Sequence, residues 1–170
     1  MKKIFLLIFI LASTSIFAQN FKLNELIKMR NMNWDDFDTY VTSKGYQYND
    51  FKKEKNSTSK HYKYNGSVVG ECYINRCIFF DEVETSPFSI SVSFQTIHKE
   101  DYLAIKNQLK IQQFKYIGND TYNEVEDAKN AHAIGMNYVK NKIEITLTSY
   151  ISPQTGGTTY EIWIGDYNKN

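Results

Sequence analysis

Three histidines, two cysteines and a few close carboxylate pairs are the residues of this 170-residue chain suited to acid–base, nucleophilic or metal chemistry. His61 stands beside an expected strand, His98 at an expected helix entrance and His132 in an expected loop. None belongs to a His-Glu-x-x-His pair, the spacing that places two imidazoles on one helix face around zinc. The sequence therefore predicts no metal and no cofactor. A Gly-x-Ser-x-Gly nucleophile elbow does not occur. Cys72 or Cys77 with a distant histidine is a pairing that most chains of this size offer by chance. A secreted hydrolase would need more: a histidine within hydrogen-bond reach of a Ser or Cys, set in a cleft. Asp35-Asp36 suits a helix N-terminus, where the dipole favours negative charge. Glu82 and Glu84 read as a solvated loop. Gly156-Gly157 lacks the lysine and following helix of a phosphate cradle, so it reads as a turn. No catalytic residue is expected.

Binding chemistry has a better carrier. Phe88, Ile90, Val92 and Phe94 alternate with Ser89, Ser91, Ser93 and Gln95. Ile143, Ile145 and Leu147 oppose Glu144, Thr146 and Thr148, and Tyr160, Ile162 and Ile164 oppose Glu161 and Trp163. Such alternation belongs to antiparallel strands with one face on a core and the other in water. The wetted face would be rich in hydroxyls, with Ser91, Ser93, Thr146, Thr148 and Glu161 around one large aromatic, Trp163. Tryptophan at such a place suits a partner's pocket; the plainer alternative tucks it against a loop or strand end. Tyr62, Tyr64 and Tyr73 would extend this surface or point into the core. The expected function is a non-catalytic module that binds a protein through the open sheet face. A binder of glycans or small amphiphiles is the alternative.

The elements that must hold this face show a unit used twice. Residues 33–48 laid over residues 101–116 match without a gap: Trp34 on Tyr102, Phe37 on Ile105, Val41 on Leu109, Tyr46 on Phe114 and Tyr48 on Tyr116. The first three pairs, spaced by three and four, mark a helix stripe, and the last two, spaced by two, mark a strand. Asn33 with Asp36 opens the first helix and Gly45 closes it; Gln113 stands where a glycine would close the second. A further helix is expected over residues 23–29. Residues 61–64 lead to an Asn65-Gly66 turn and residues 134–139 to a Lys140-Asn141 turn. Strands follow over residues 71–80 and 142–151, then 88–95 and 158–165, with a hairpin loop over 153–157 and a polar loop over 56–60. The expected fold is α+β: a tandem repeat of a helix followed by four antiparallel strands (about 21–97 and 98–170), with the helices packed on one face of the sheet.

Lys2 and Lys3, the apolar run over residues 4–12 and the small residue Ala18 have the order of a secretory signal peptide. The run is about half of the roughly 20 residues a spanning helix needs. Residues 1–18 are expected to be removed, leaving a single periplasmic or secreted domain over 19–170. Two lysines and no acid leave with them, so Lys+Arg falls from 20 to 18 against 19 Asp+Glu, a net charge of −1. That argues against nucleic acid as a partner, because phosphate binding needs a clustered basic surface. No later segment is apolar enough to span a bilayer. Cys72 and Cys77 on one extended strand would lie about 16 Å apart, beyond the roughly 7 Å limit for bridged Cα atoms, and would face opposite ways. Two separate small apolar residues are the preferred reading, and a bulge that brings them together is the open alternative.

The order of helices and four antiparallel strands, used twice, resembles the beta-lactamase inhibitor protein family over most of the mature chain. The resemblance implies that the concave sheet face binds a protein. The family's Gly-Met-Thr-Arg helix entry is missing at residues 33–36 and 98–101, and both cysteines lie in the first half, so its disulfide within each repeat has no counterpart. No binding residue is transferred. The chain also resembles small exported bacterial proteins.

Overall fold

The computed structural model describes residues 21–64, 72–80, 87–122, 133–152 and 156–167. Residues 1–18, the Asn65-Gly66 turn, Glu82, Glu84 and His132 lie outside them. Among the described residues, three helices and eight strands follow in the order α1 (Leu23–Arg30), α2 (Trp34–Ser43), β1 (Tyr46–Glu54), β2 (Ser57–Tyr64), β3 (Cys72–Phe80), β4 (Pro87–Thr96), α3 (Lys99–Ile111), β5 (Lys115–Tyr122), β6 (Ala133–Lys140), β7 (Ile143–Ile151) and β8 (Thr158–Asp166). The α+β class expected from the residue pattern is the one observed.

Each helix forms for local reasons and buries one stripe. In α1, Leu23, Leu26 and Met29 recur every third residue and are fully buried. In α2, the Asn33 side chain accepts the Asp36 N–H at 2.8 Å, so the N-terminus is capped as its sequence implies. Gly45 closes it with φ +89°, a left-handed conformation that glycine adopts at no steric cost. At the end of α3 that task falls to Gln113, at φ 60°.

All eight strands form one antiparallel sheet in the order β1-β2-β3-β4-β8-β7-β6-β5. β4 and β8 sit side by side at its centre, and β1 and β5 are its edges. The helices cover one face, α1 and α3 lying on β4 and β8 and α2 on β1. Between the layers lies the core, with Phe37, Val41, Ile74, Val92, Phe94, Ile105, Leu109, Ile145, Leu147, Ile162 and Ile164 all at 0 % exposure.

Two expectations are corrected. Residues 56–60 are no loop: Lys55-Asn56 form the turn, and Ser57 onward is strand, paired to β1 on one side and β3 on the other. Sequence polarity misleads there because the helix-facing polar groups are used: Lys60 reaches Asp38 at 2.5 Å, and the Tyr62 hydroxyl donates to the same carboxylate. The second correction moves a turn by one residue, since Lys140 pairs with Ile143 and the turn is Asn141-Lys142. Asn141 takes φ 56°, which asparagine tolerates better than most residues. Cys72 and Cys77 are both free, on opposite faces of β3, and burial pushes both thiols up. No helix among the described residues is long and apolar enough to cross a membrane.

Arg76 is a charged side chain in the core, on the helix face of β3 yet only 3 % exposed. Its Nη2 donates to the carbonyls of Met32 (2.6 Å) and Arg30 (3.3 Å), which the end of α1 leaves without helical partners. Its guanidinium also lies 4.7 Å from the Trp34 ring centre. Among the described residues Nε and Nη1 have no hydrogen-bond partner, and burial pulls the guanidinium pKa down.

Candidate functional site

The sheet face turned away from the helices carries the side chains that the alternation assigned to it, and the ladder fixes their neighbours. Ser93 pairs with Trp163, which pairs with Thr146, which pairs with Asn137. One row along the strands, Gln95 pairs with Glu161 and Glu161 with Thr148. Three strands, β4, β7 and β8, thus bring Ser93, Thr146, Thr148, Glu161 and Trp163 together, although Ser93 lies more than 50 residues before the others. Ser91 sits on the same face of β4, opposite Cys77.

The face is not wetted in the way expected. Ser91, Ser93, Thr146 and Thr148 are buried, at 3, 6, 8 and 9 % exposure, whereas Glu161 and Trp163 are half-buried. Short side chains lie low between longer neighbours, and their polar atoms are turned into bonds along the sheet. Ser93 Oγ donates to Glu161 Oε1 at 2.5 Å, and Thr146 Oγ1 donates to Asn137 Oδ1 at 2.9 Å. Asn137 Nδ2 in turn donates to Asp120 Oδ2 at 2.6 Å, and Gln95 Nε2 to the Tyr150 hydroxyl at 3.1 Å. The hydroxyls are the floor of the surface rather than its contact groups.

Trp163 does not project straight outward. Its six-membered ring folds along its own strand into the space above Gly165, where an added Cβ would meet the ring at 2.1 Å. The plainer alternative, an indole tucked against a strand end, describes half of this: the ring is supported from below while part of it remains exposed. On the helix side of the same glycine, Arg30 Nη1 donates to the Gly165 carbonyl (3.0 Å) and pairs with Asp166 (2.8 Å). Ile90 N–H donates to the other Asp166 oxygen at 3.2 Å. The β4–β8 ladder ends at Val92–Ile164, and this arginine–carboxylate pair takes over its hydrogen bonding.

Asn137, Asp120, Tyr150 and Gly165 were not among the residues picked out by sequence. A signal for Asn137 was available: a two-residue turn at Asn141-Lys142 sets Asn137 opposite Thr146, whereas a turn at Lys140-Asn141 sets it opposite Glu144. Gly165 offers only the absence of a side chain two residues after a tryptophan.

The histidine contact that a hydrolase would require has one match in distance. Ser59 Oγ and His61 Nε2 share a hydrogen bond of 2.8 Å. The two residues lie two apart on one face of β2, and burial, then Lys52, holds the imidazole below its usual range while Asp50 pulls it up. Among the described residues no carboxylate hydrogen-bonds this ring to orient it. The strand is laddered on both sides, so its backbone N–H groups are committed and cannot form an oxyanion hole. His98 is the residue before α3, with extended backbone. Among the described residues no group of three or more His, Cys, Asp or Glu is placed to hold a metal ion. Comparison with family models, curated proteins and solved structures finds no match to this chain.

Proposed function

We propose that the chain is an exported, non-catalytic binding module that recognises a protein partner through the sheet face turned away from its helices. Trp163 carries this reading: a large aromatic, half-buried, set among hydrogen-bonded neighbours and braced by Gly165 beneath. A side chain already ordered before contact loses little entropy on binding, and tryptophan anchors are the commonest energetic centres of interfaces. Glu161, fixed by Ser93, and Gln95 and Tyr150, bonded to each other, would supply the polar contacts around it.

The finer architecture belongs to the same proposal. Two units of a helix and four strands would stand side by side, β4 of one against β8 of the other. Two things favour it: the order of elements, and the register shifts in both edge strands, between Tyr48 and Asp50 and between Tyr116 and Gly118, at matching places in the two halves. With them stands the likeness to the beta-lactamase inhibitor protein family, and the periplasm or the medium as the place of action.

The test is affinity capture by the mature chain from its own envelope and medium, with Trp163→Ala and Glu161→Lys as variants. Thr146 is left intact, because a charge at a buried threonine bonded to Asn137 would unfold the face instead of probing it. Both variants should melt cooperatively and lose the captured protein; capture unchanged by either one refutes the reading. One observation favours a glycan instead: an indole lying along the sheet offers a flat stacking face beside hydroxyl and amide groups. Quenching of Trp163 fluorescence by cell-wall oligosaccharides, without capture of any protein, would replace the first reading with the second.

A further inference from the structure

The two ends of the helix layer are covered differently. Over β1 and β2, α2 lies on the sheet with Phe37 and Val41 buried, Phe37 packing edge-on against Tyr62, and Asp38 on its flank paired to Lys60. At the opposite end α3 sits inboard, against β8 and β4. The helix-side surface of β5 and β6 is left partly open, with Ile134 55 % and Tyr116 49 % exposed and Met136 and Tyr138 half-buried.

The flank of α3 that borders this strip repeats its chemistry. Lys106 Nζ stands 3.4 Å from Met136 Sδ, which fixes the side of α3 that faces β6. Leu103, one turn earlier on that flank, is 48 % exposed, and Lys110 lies one turn later. At the far end Lys140 Nζ donates to the Gln112 carbonyl. None of the ion pairs among the described residues involves Lys106, Lys110 or Lys140. The result is an apolar strip, Leu103 with Ile134, Met136, Tyr138 and Tyr116, edged by cations that no described acid neutralises.

We propose that this strip is a docking groove for an acidic amphipathic helix of a partner protein, separate from the open sheet face. The first half supplies the pattern: a ten-residue helix rests on the outer strands with apolar residues down and an aspartate on a lysine. From Ile134 to Tyr138 the strip runs about 14 Å, the length of some nine helical residues. It is shallow, its outer residues near half exposure, which suits a helix laid into a groove better than a small amphiphile that needs burial on most sides. The cations select for acidic flanks.

The probes are two fluorescent helical peptides of three turns, alike in their leucine stripe, one flanked by glutamates and the other by lysines. The full mature chain should bind the acidic peptide at least tenfold more tightly than the basic one, with affinity falling as salt rises. Ile134→Glu, and separately Lys106→Glu with Lys110→Glu, should each weaken the acidic peptide tenfold or more while the protein melts as before. Trp163→Ala should leave it unchanged, so this groove and the open face fail or stand independently. Equal binding of both peptides, or insensitivity to both variants, overturns the proposal. So does self-association abolished by Ile134→Glu, which would make a second copy the occupant, or binding of laurate at these residues without the peptide.

Discussion

Gly165 and the Trp163 ring compete for one volume, so a methyl group at position 165 must displace the indole or the strand. The Cβ would come within 2.1 Å of one ring atom and 2.4 Å of the next, and overpacking of this kind costs about 1–3 kcal/mol. Gly165→Ala, made with Trp34→Phe so that one indole reports, should destabilise by that amount and shift emission to the red as the ring swings into water. An unshifted spectrum would mean that the ring is not braced by the glycine. His61 gives a second prediction at this scale. Burial and Lys52 hold its folded-state pKa below the ordinary 6.5, so the unfolded chain binds the proton more readily. Stability from the neutral imidazole is fully present above about pH 6.5 and lost as pH falls through the depressed pKa. Chemical denaturation between pH 7.5 and 5 should therefore show a steeper loss for the natural chain than for His61→Gln. Equal slopes would remove this account of the ring.

The two helix endings test how far local backbone rules govern this fold. Gly45 and Gln113 do the same job, both left-handed, but only one is glycine. A side chain in that conformation costs roughly 1–2 kcal/mol, and the added freedom of an unfolded glycine returns about 0.4–1 kcal/mol of that. Gln113→Gly should thus stabilise by up to about 1.5 kcal/mol in a urea titration. Gly45→Ala should destabilise by at least about 1 kcal/mol, since its Cβ would also press on the Tyr64 ring at 2.8 Å. No gain at 113 would indicate that the Gln113 side chain earns back its strain through contacts. Such endings were legible in sequence because they depend on a few neighbouring residues. So were the middles of β4, β7 and β8, where apolar and polar residues alternate with Trp163 as the one aromatic in a polar row. The first half of β2 was not, for its helix-facing positions are Thr58 and Lys60, and the partner that makes Lys60 acceptable there, Asp38, lies 22 residues earlier. Arg76 was missed for the same reason: it donates to the carbonyls of Met32, just beyond α1, and Arg30, the last residue of α1, 44 and 46 residues away.

Strand order across the whole molecule is the part that periodicity does not reach, because alternation says which face a residue takes and nothing about which strand lies beside it. That order decides what the halves can do alone. β4 and β8 pair along Val92–Ile164, Phe94–Ile162 and Thr96–Tyr160. α1 lies across both strands, its Leu23, Leu26 and Met29 buried there, and Arg30 reaches to Gly165 and Asp166 at the end of β8. A fragment of residues 21–97 would turn β4 into a bare edge, expose Phe94 and Val92 on one flank, and leave Arg30 without its acceptors. A unit of that size buries only about 60 % of its unfolded surface at best, too little to absorb such losses. Residues 19–170 should therefore unfold in one cooperative urea transition followed equally by fluorescence and far-ultraviolet circular dichroism, while the 21–97 fragment shows no cooperative transition. Hydrogen exchange should agree, with the β4 and β8 amides slowest and those of β1 and β5 fastest, because each edge strand has neighbours on one side alone. A fragment that melts cooperatively would mean that the halves are independent domains and that the central pairing is an interface, not a core.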